Sequence, residues 1–99
     1  MGDRGNITPA DQTQVDQLAR DRAAILRGSI IGATAELSKT KRKPFYGVFF
    51  TWPDGRQSLV SVRTLDNALD YPNLGAEKQV FMFDKGRVKD MPAYREEIP

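Results

Sequence analysis

The 99 residues make one domain's worth of chain, 39% hydrophobic and 28% charged, with a formal net charge of +2. This profile excludes collagenous, coiled-coil and wholly disordered classes. The chain holds no Cys and no His, which removes disulfides, thiol nucleophiles, imidazole bases and nearly every zinc, haem or iron–sulfur site.

No apolar run approaches the roughly 18 residues that span a bilayer, and the N-terminus lacks a signal-peptide core. A cytoplasmic protein without a cofactor is expected. Charge is unevenly spread. Residues 1–28 are balanced, and residues 64–99 carry a net −2. Residues 29–63 hold six basic side chains (Lys39, Lys41, Arg42, Lys43, Arg56, Arg63) against Glu36 and Asp54, a net +4. Such asymmetry concerns partners rather than fold.

Residues 1–7 read as a flexible terminus, with two glycines and no periodicity. Thr8-Pro9-Ala10-Asp11 reads as a helix start. The Thr8 hydroxyl can cap, Pro9 suits the first helical position, and Asp11 sits near the positive end of the helix dipole. The helix is predicted to reach about Arg27, with Gly28 as its left-handed stop. Val15, Leu18, Arg22 and Ile25 share one stripe, flanked by Ala19 and Leu26, apolar except for Arg22. Asp11, Asp16 and Asp21 interleave with Arg20, Arg22 and Arg27, a solvated face rather than a DNA-reading one.

After Gly28 a strand is predicted over 30–37, with Ile31, Ala33, Ala35 and Leu37 on one face; the alanines could also extend a helix. Ser38 to Pro44 is a polar loop. Phe45–Trp52 is the strongest strand, apolar on both faces and therefore central. Pro53-Asp54-Gly55 is a turn in which Gly55 takes the left-handed position, joining Trp52 to a strand over 57–63. Thr64 is expected to cap a short helix over 64–70 carrying Leu65, Ala68 and Leu69. Gln79–Phe83 and Arg87–Lys89 are strands joined by the turn Asp84-Lys85-Gly86, and 90–99 reads as a tail. The expectation is a single α+β domain over 8–89. It would have an antiparallel sheet of about four to five strands, an N-terminal helix and a short second helix, in the order α-β-β-β-α-β-β.

Glycine-rich phosphate loops and nucleophile-elbow motifs are missing, and no imidazole is present to activate a serine, so no enzyme is expected. Asp66 and Asp70, four apart on a short helix, form a carboxylate pair. Two such oxygens rarely suffice for Mg²⁺ or Ca²⁺, so no metal site is assigned.

Two features point to binding. Lys39, Lys41, Arg42 and Lys43 fall within five residues, placed by this reading at a hairpin tip where they could converge on a phosphate backbone. Their bland alternative is a charged tip that blocks edge-to-edge pairing. Arg56 lies at the opposite end of the shared strand. The second feature is aromatic. If helices cover one sheet face only, either Phe45 and Phe49 or Tyr46 and Trp52 turn outward, as a stacking platform or a dimer surface. Coverage of both faces within the monomer is the favoured alternative.

The chain therefore reads as a small non-catalytic module that contacts nucleic acid or another polyphosphate. Lys39, Lys41, Arg42, Lys43 and Arg56 would supply the charge, with Tyr46 or Trp52 in support. The competing reading is a protein-interaction module, an adaptor or an inhibitor of a larger complex. Small accessory proteins of phages and mobile elements share this profile by analogy. A homodimer would suit so small a domain.

Overall fold

The computed structural model of the chain describes residues 9–96, with side chains from Asp16 onward. The expected flexible terminus over 1–7 and the Thr8 cap lie outside the described residues, as do the side chains of Asp11 and Val15.

The elements are α1 (Pro9–Ser38), β1 (Phe45–Thr51), β2 (Gln57–Val62), α2 (Leu65–Asp70), β3 (Glu77–Asp84) and β4 (Arg87–Met91). They build one antiparallel sheet in the order β2-β1-β3-β4. The architecture is α+β in the order α-β-β-α-β-β.

One element departs from expectation. The strand predicted over 30–37 is helix, and α1 continues through Gly28 to Ser38. Two periodicities overlap in this segment. Alternation joins Ile31, Ala33, Ala35 and Leu37, whereas a helical period joins Arg27, Ile30, Ile31, Thr34, Ala35 and Ser38. The helical set wins because it meets the sheet: Ile30, Ile31 and Ala35 pack against Phe49, Phe81 and Phe83. Thr34 Oγ1 donates to the Ile30 carbonyl at 2.9 Å, which satisfies its hydroxyl within the helix. Gly28 and Gly32 face open space, with nothing within 4 Å of where a Cβ would stand. Each weakens the helix by about 1 kcal/mol relative to Ala, and packing outweighs that.

The helix ends in a tightening turn, with Lys39, Thr40 and Lys41 amides donating to the carbonyls of Glu36, Leu37 and Ser38 at 3.1–3.2 Å. Ser38 is 1% exposed. Its Oγ donates to the Ala35 carbonyl and accepts from the Gly86 amide at 2.7 Å. That bond fastens the end of α1 to the β3–β4 hairpin. The hairpin turns on Lys85 (φ 50) and Gly86 (φ 88), the left-handed pair of a two-residue type I′ connection.

Both sheet faces are covered. α1 closes over Phe49, Phe81 and Phe83 on one side. On the other side Val48, Phe50 and Val80 pack with Ala68 of α2 and with Ala76. Burial of each such Phe contributes about 1.5–3 kcal/mol. Gly47 sits in a tight part of α1's face of the sheet. A Cβ there would meet Phe83 Cε2 at 2.7 Å and Leu59 Cδ1 at 2.8 Å.

The β1–β2 hairpin matches expectation, with Thr51 opposite Gln57 and Gly55 at φ 92. Thr64 caps α2, its hydroxyl accepting from the Asn67 amide at 3.1 Å. At the far end of α2, Lys78 Nζ donates to the carbonyls of Leu69 and Tyr71 at 2.8 Å each. β4 runs to Met91, beyond the expected Lys89.

The stripe read as apolar in the sequence faces away from the sheet. Leu18 is 55% exposed, Ile25 70% and Leu26 47%. A 30-residue helix is about 45 Å long. The seven-residue strand β1 is about 23 Å long. The early turns of α1 therefore project beyond the sheet.

A candidate nucleic-acid interface at one end of the sheet

The basic segment does not sit on a hairpin tip. It is the connection between α1 and β1, so its direction is set by a helix end rather than by a strand pair. The Ser38–Gly86 bond and the start of β1 at Phe45 fix both ends of this loop.

The loop borders an open groove of about 690 Å³. Thr34 and Leu37 of α1 form one wall. Pro44, Phe45, Ser61 and Val62 form the floor and the other side. Lys41, Arg42, Lys43 and Arg63 complete the lining. Lysine or arginine supplies every charge in that lining, and no acidic residue enters it. Among the described residues none of these four cations makes an ion pair.

Phe45 is half-buried. Its ring stacks on Phe83, with centroids 5.3 Å apart and planes 17° apart. Phe83 is fully buried, so it holds the Phe45 ring from behind. Phe45 also lines the groove.

The other residues proposed from sequence lie elsewhere. Lys39 turns back along its helix, pairing with Glu36 at 2.8 Å, and its stem lies over Gly86. Tyr46 is on the α2 face, packed with the Val48–Phe50 cluster. Trp52 and Arg56 are at the opposite end of β1, about 20 Å from the basic loop. There they are already engaged. The Arg56 guanidinium lies 5.1 Å from the Trp52 ring and pairs with Asp54 at 2.7 Å. Trp52 Nε1 donates to the Leu74 carbonyl at 3.3 Å. The Arg56 amide donates to Asp54, which, with the nearby guanidinium, holds that carboxyl below its ordinary range. The platform of cations beside Tyr46 or Trp52 is not assembled.

Sequence reasoning names Phe45 only as one of two alternative outward sets and does not place Arg63 among the candidate residues, although a signal for Arg63 exists. A three-residue turn between Trp52 and Arg56 fixes the register in which Tyr46 faces Val62. The next positions along the two chains are Phe45 and Arg63. The hairpin therefore delivers Arg63 to the basic loop.

The Asp66–Asp70 pair is occupied by the chain itself. Arg95 Nη2 lies 3.0 Å from Asp66 Oδ1, and its Nε 3.5 Å from Asp70 Oδ1. The Asp66 hydrogen bond leads in raising the Arg95 pKa. Residues from the expected tail thus fold back on α2. Among the described residues no cluster of three or more metal-ligating side chains occurs, and no helix is long and apolar enough to cross a membrane.

Comparison with protein-family models, curated proteins and solved structures finds no match.

Proposed function

We propose that the chain is a non-catalytic binding module that holds the phosphate backbone of nucleic acid in the groove beside the α1–β1 loop. The observation that carries this reading is the gathering of Lys41, Arg42, Lys43 and Arg63 around one cavity without an ion-pair partner among the described residues. Unneutralised like charges repel one another, and a polyanion relieves that repulsion while releasing condensed counterions. Arg42 and Arg63 offer fork-shaped bidentate contacts, and the lysines act as point charges. Four phosphate contacts correspond to a salt slope of about −3 on single strands, so affinity falls roughly 50-fold between about 50 and 200 mM salt.

The test is fluorescence anisotropy with mixed-sequence oligonucleotides across that salt range. Binding that weakens with this slope supports the reading. No binding at low salt rejects it.

A second reading, a protein-binding module, is favoured by the exposed stripe of α1. Its occupant would be a second copy of this chain. An antiparallel pairing centred between residues 21 and 22 sets Leu18 against the second copy's Ile25, with Arg22 level with its Asp21. Sedimentation velocity checks it: a dimer that Ile25→Asp turns into a monomer supports this face, and a wild-type monomer at high concentration rejects it.

A further inference from the structure

Resting on the nucleic-acid reading, we infer that Phe45 is a stacking platform for an unpaired base, so the ligand is single-stranded rather than duplex. The groove pairs two chemistries that a duplex backbone would not need together. Its cations lie at the loop and at Arg63, and its inner surface is largely apolar, with side chains of Leu37, Pro44 and Phe45. Leu37 is 63% exposed, so this apolar surface stands open to whatever enters. A phosphate-only site gains nothing from it. A nucleotide with its base turned inward covers it, and its phosphates remain at the cationic rim.

The ring is preorganised for that role. Phe83 stacks behind Phe45 at 5.3 Å, and Phe83 is itself wedged over Gly47, with no room for a Cβ between them. A base arriving on Phe45 would extend an existing stack, with no side chain to reorder. At about 690 Å³ the groove falls within the usual range of small-ligand sites, about 300–1,000 Å³, so it has room for a nucleotide.

The experiment compares three labelled ligands of equal length on the wild-type chain: a single strand, the same strand with abasic sites throughout, and its duplex. It is repeated with Phe45→Leu, which keeps an apolar side chain and is checked for folding by circular dichroism. The expected result is single-strand binding at least about tenfold tighter than abasic or duplex binding. Phe45→Leu is expected to bring the single strand down to the abasic level while leaving the salt slope unchanged. Equal binding of all three ligands by the wild type, with a normal salt slope, would overturn the base platform and leave the phosphate reading standing. Absence of salt-dependent binding to any of them overturns both. The abasic comparison uses the native chain, so the outcome holds even if the Phe45 variant misfolds.

Discussion

The two ends of β1 carry the same ingredients and put them to opposite uses. At the turn end, Trp52 and Arg56 stack on each other, Asp54 neutralises the guanidinium, and the Leu74 carbonyl accepts the indole N–H. At the loop end, Phe45 stacks on Phe83 and lines the groove, and Lys41, Arg42, Lys43 and Arg63 stand without ion pairs among the described residues. An aromatic beside a cation is thus no indication of a site. What distinguishes a candidate site is unspent interaction capacity, and of these two ends the loop end has it.

The largest effect expected from breaking this contrast is on binding. Lys41→Glu/Arg42→Glu/Lys43→Glu should lower oligonucleotide affinity by on the order of 100-fold or more, measured by anisotropy at low salt. Arg56→Glu, equal in charge change per residue, should leave affinity within about twofold, because surface charges that far apart are screened. A loss for Arg56→Glu of about one third of the triple variant's, in log affinity, would mean that net charge, not the groove, drives binding.

A smaller effect concerns the support of Phe45. Gly47→Val places atoms where Phe83 and Leu59 already sit, and overpacking of this kind costs about 1–3 kcal/mol. Urea unfolding should show that loss. Binding should weaken too, because a displaced Phe83 no longer backs the Phe45 ring.

Ser38→Ala removes the acceptor of the Gly86 amide. The Gly86 amide is only partly buried, so its loss of an acceptor costs less than the ~1–3 kcal/mol of a fully buried unpaired amide. The urea midpoint should fall, with Gly47→Val the more damaging of the two because it forces the buried Phe83 and the partly buried Leu59 apart, whereas Ser38→Ala leaves the packing in place.

The smallest effect belongs to the turn end. Asp54 has a lowered folded pKa, held mainly by the Arg56 amide. Its contribution to stability is therefore present above the unfolded value of 3.8 and is lost as pH falls through the lower folded value. The gap in urea midpoint between wild type and Asp54→Ala should be small at neutral pH and should narrow below about pH 4. A gap that widened in acid would contradict the assignment.

Most of the sheet was legible because its residues obey one rule at a time. Phe45–Thr51 alternates with apolar groups on both faces and lies centrally; Gly55 and Thr64 sit at the turn and the cap that their chemistry favours. The misreading over 30–37 has a physical origin. Ile30-Ile31 followed by alternating alanines satisfies strand and helix periods together, and only contact with Phe49, Phe81 and Phe83 decides between them. That single change relocated the basic loop from a hairpin tip to a helix exit. It also turned the most regular apolar stripe in the sequence, through Leu18 and Ile25, out toward solvent. Lys41, Arg42 and Lys43 were found because charge density is local. Arg63 needed strand register, and Phe45 needed knowledge of which sheet face α1 leaves partly open.

The Ser38–Gly86 bond makes one amide a reporter on the whole loop end. The Gly86 proton is shielded only while the last turn of α1 rests against the β3–β4 hairpin. Its exchange with deuterium consequently times the lifting of the helix from the sheet. A ligand that bridges Thr34 and Leu37 on the helix wall to Arg63 on the strand side would clamp those two bodies together. The Gly86 resonance would then persist longer in heavy water, recording occupancy of the groove from an atom that the ligand never touches.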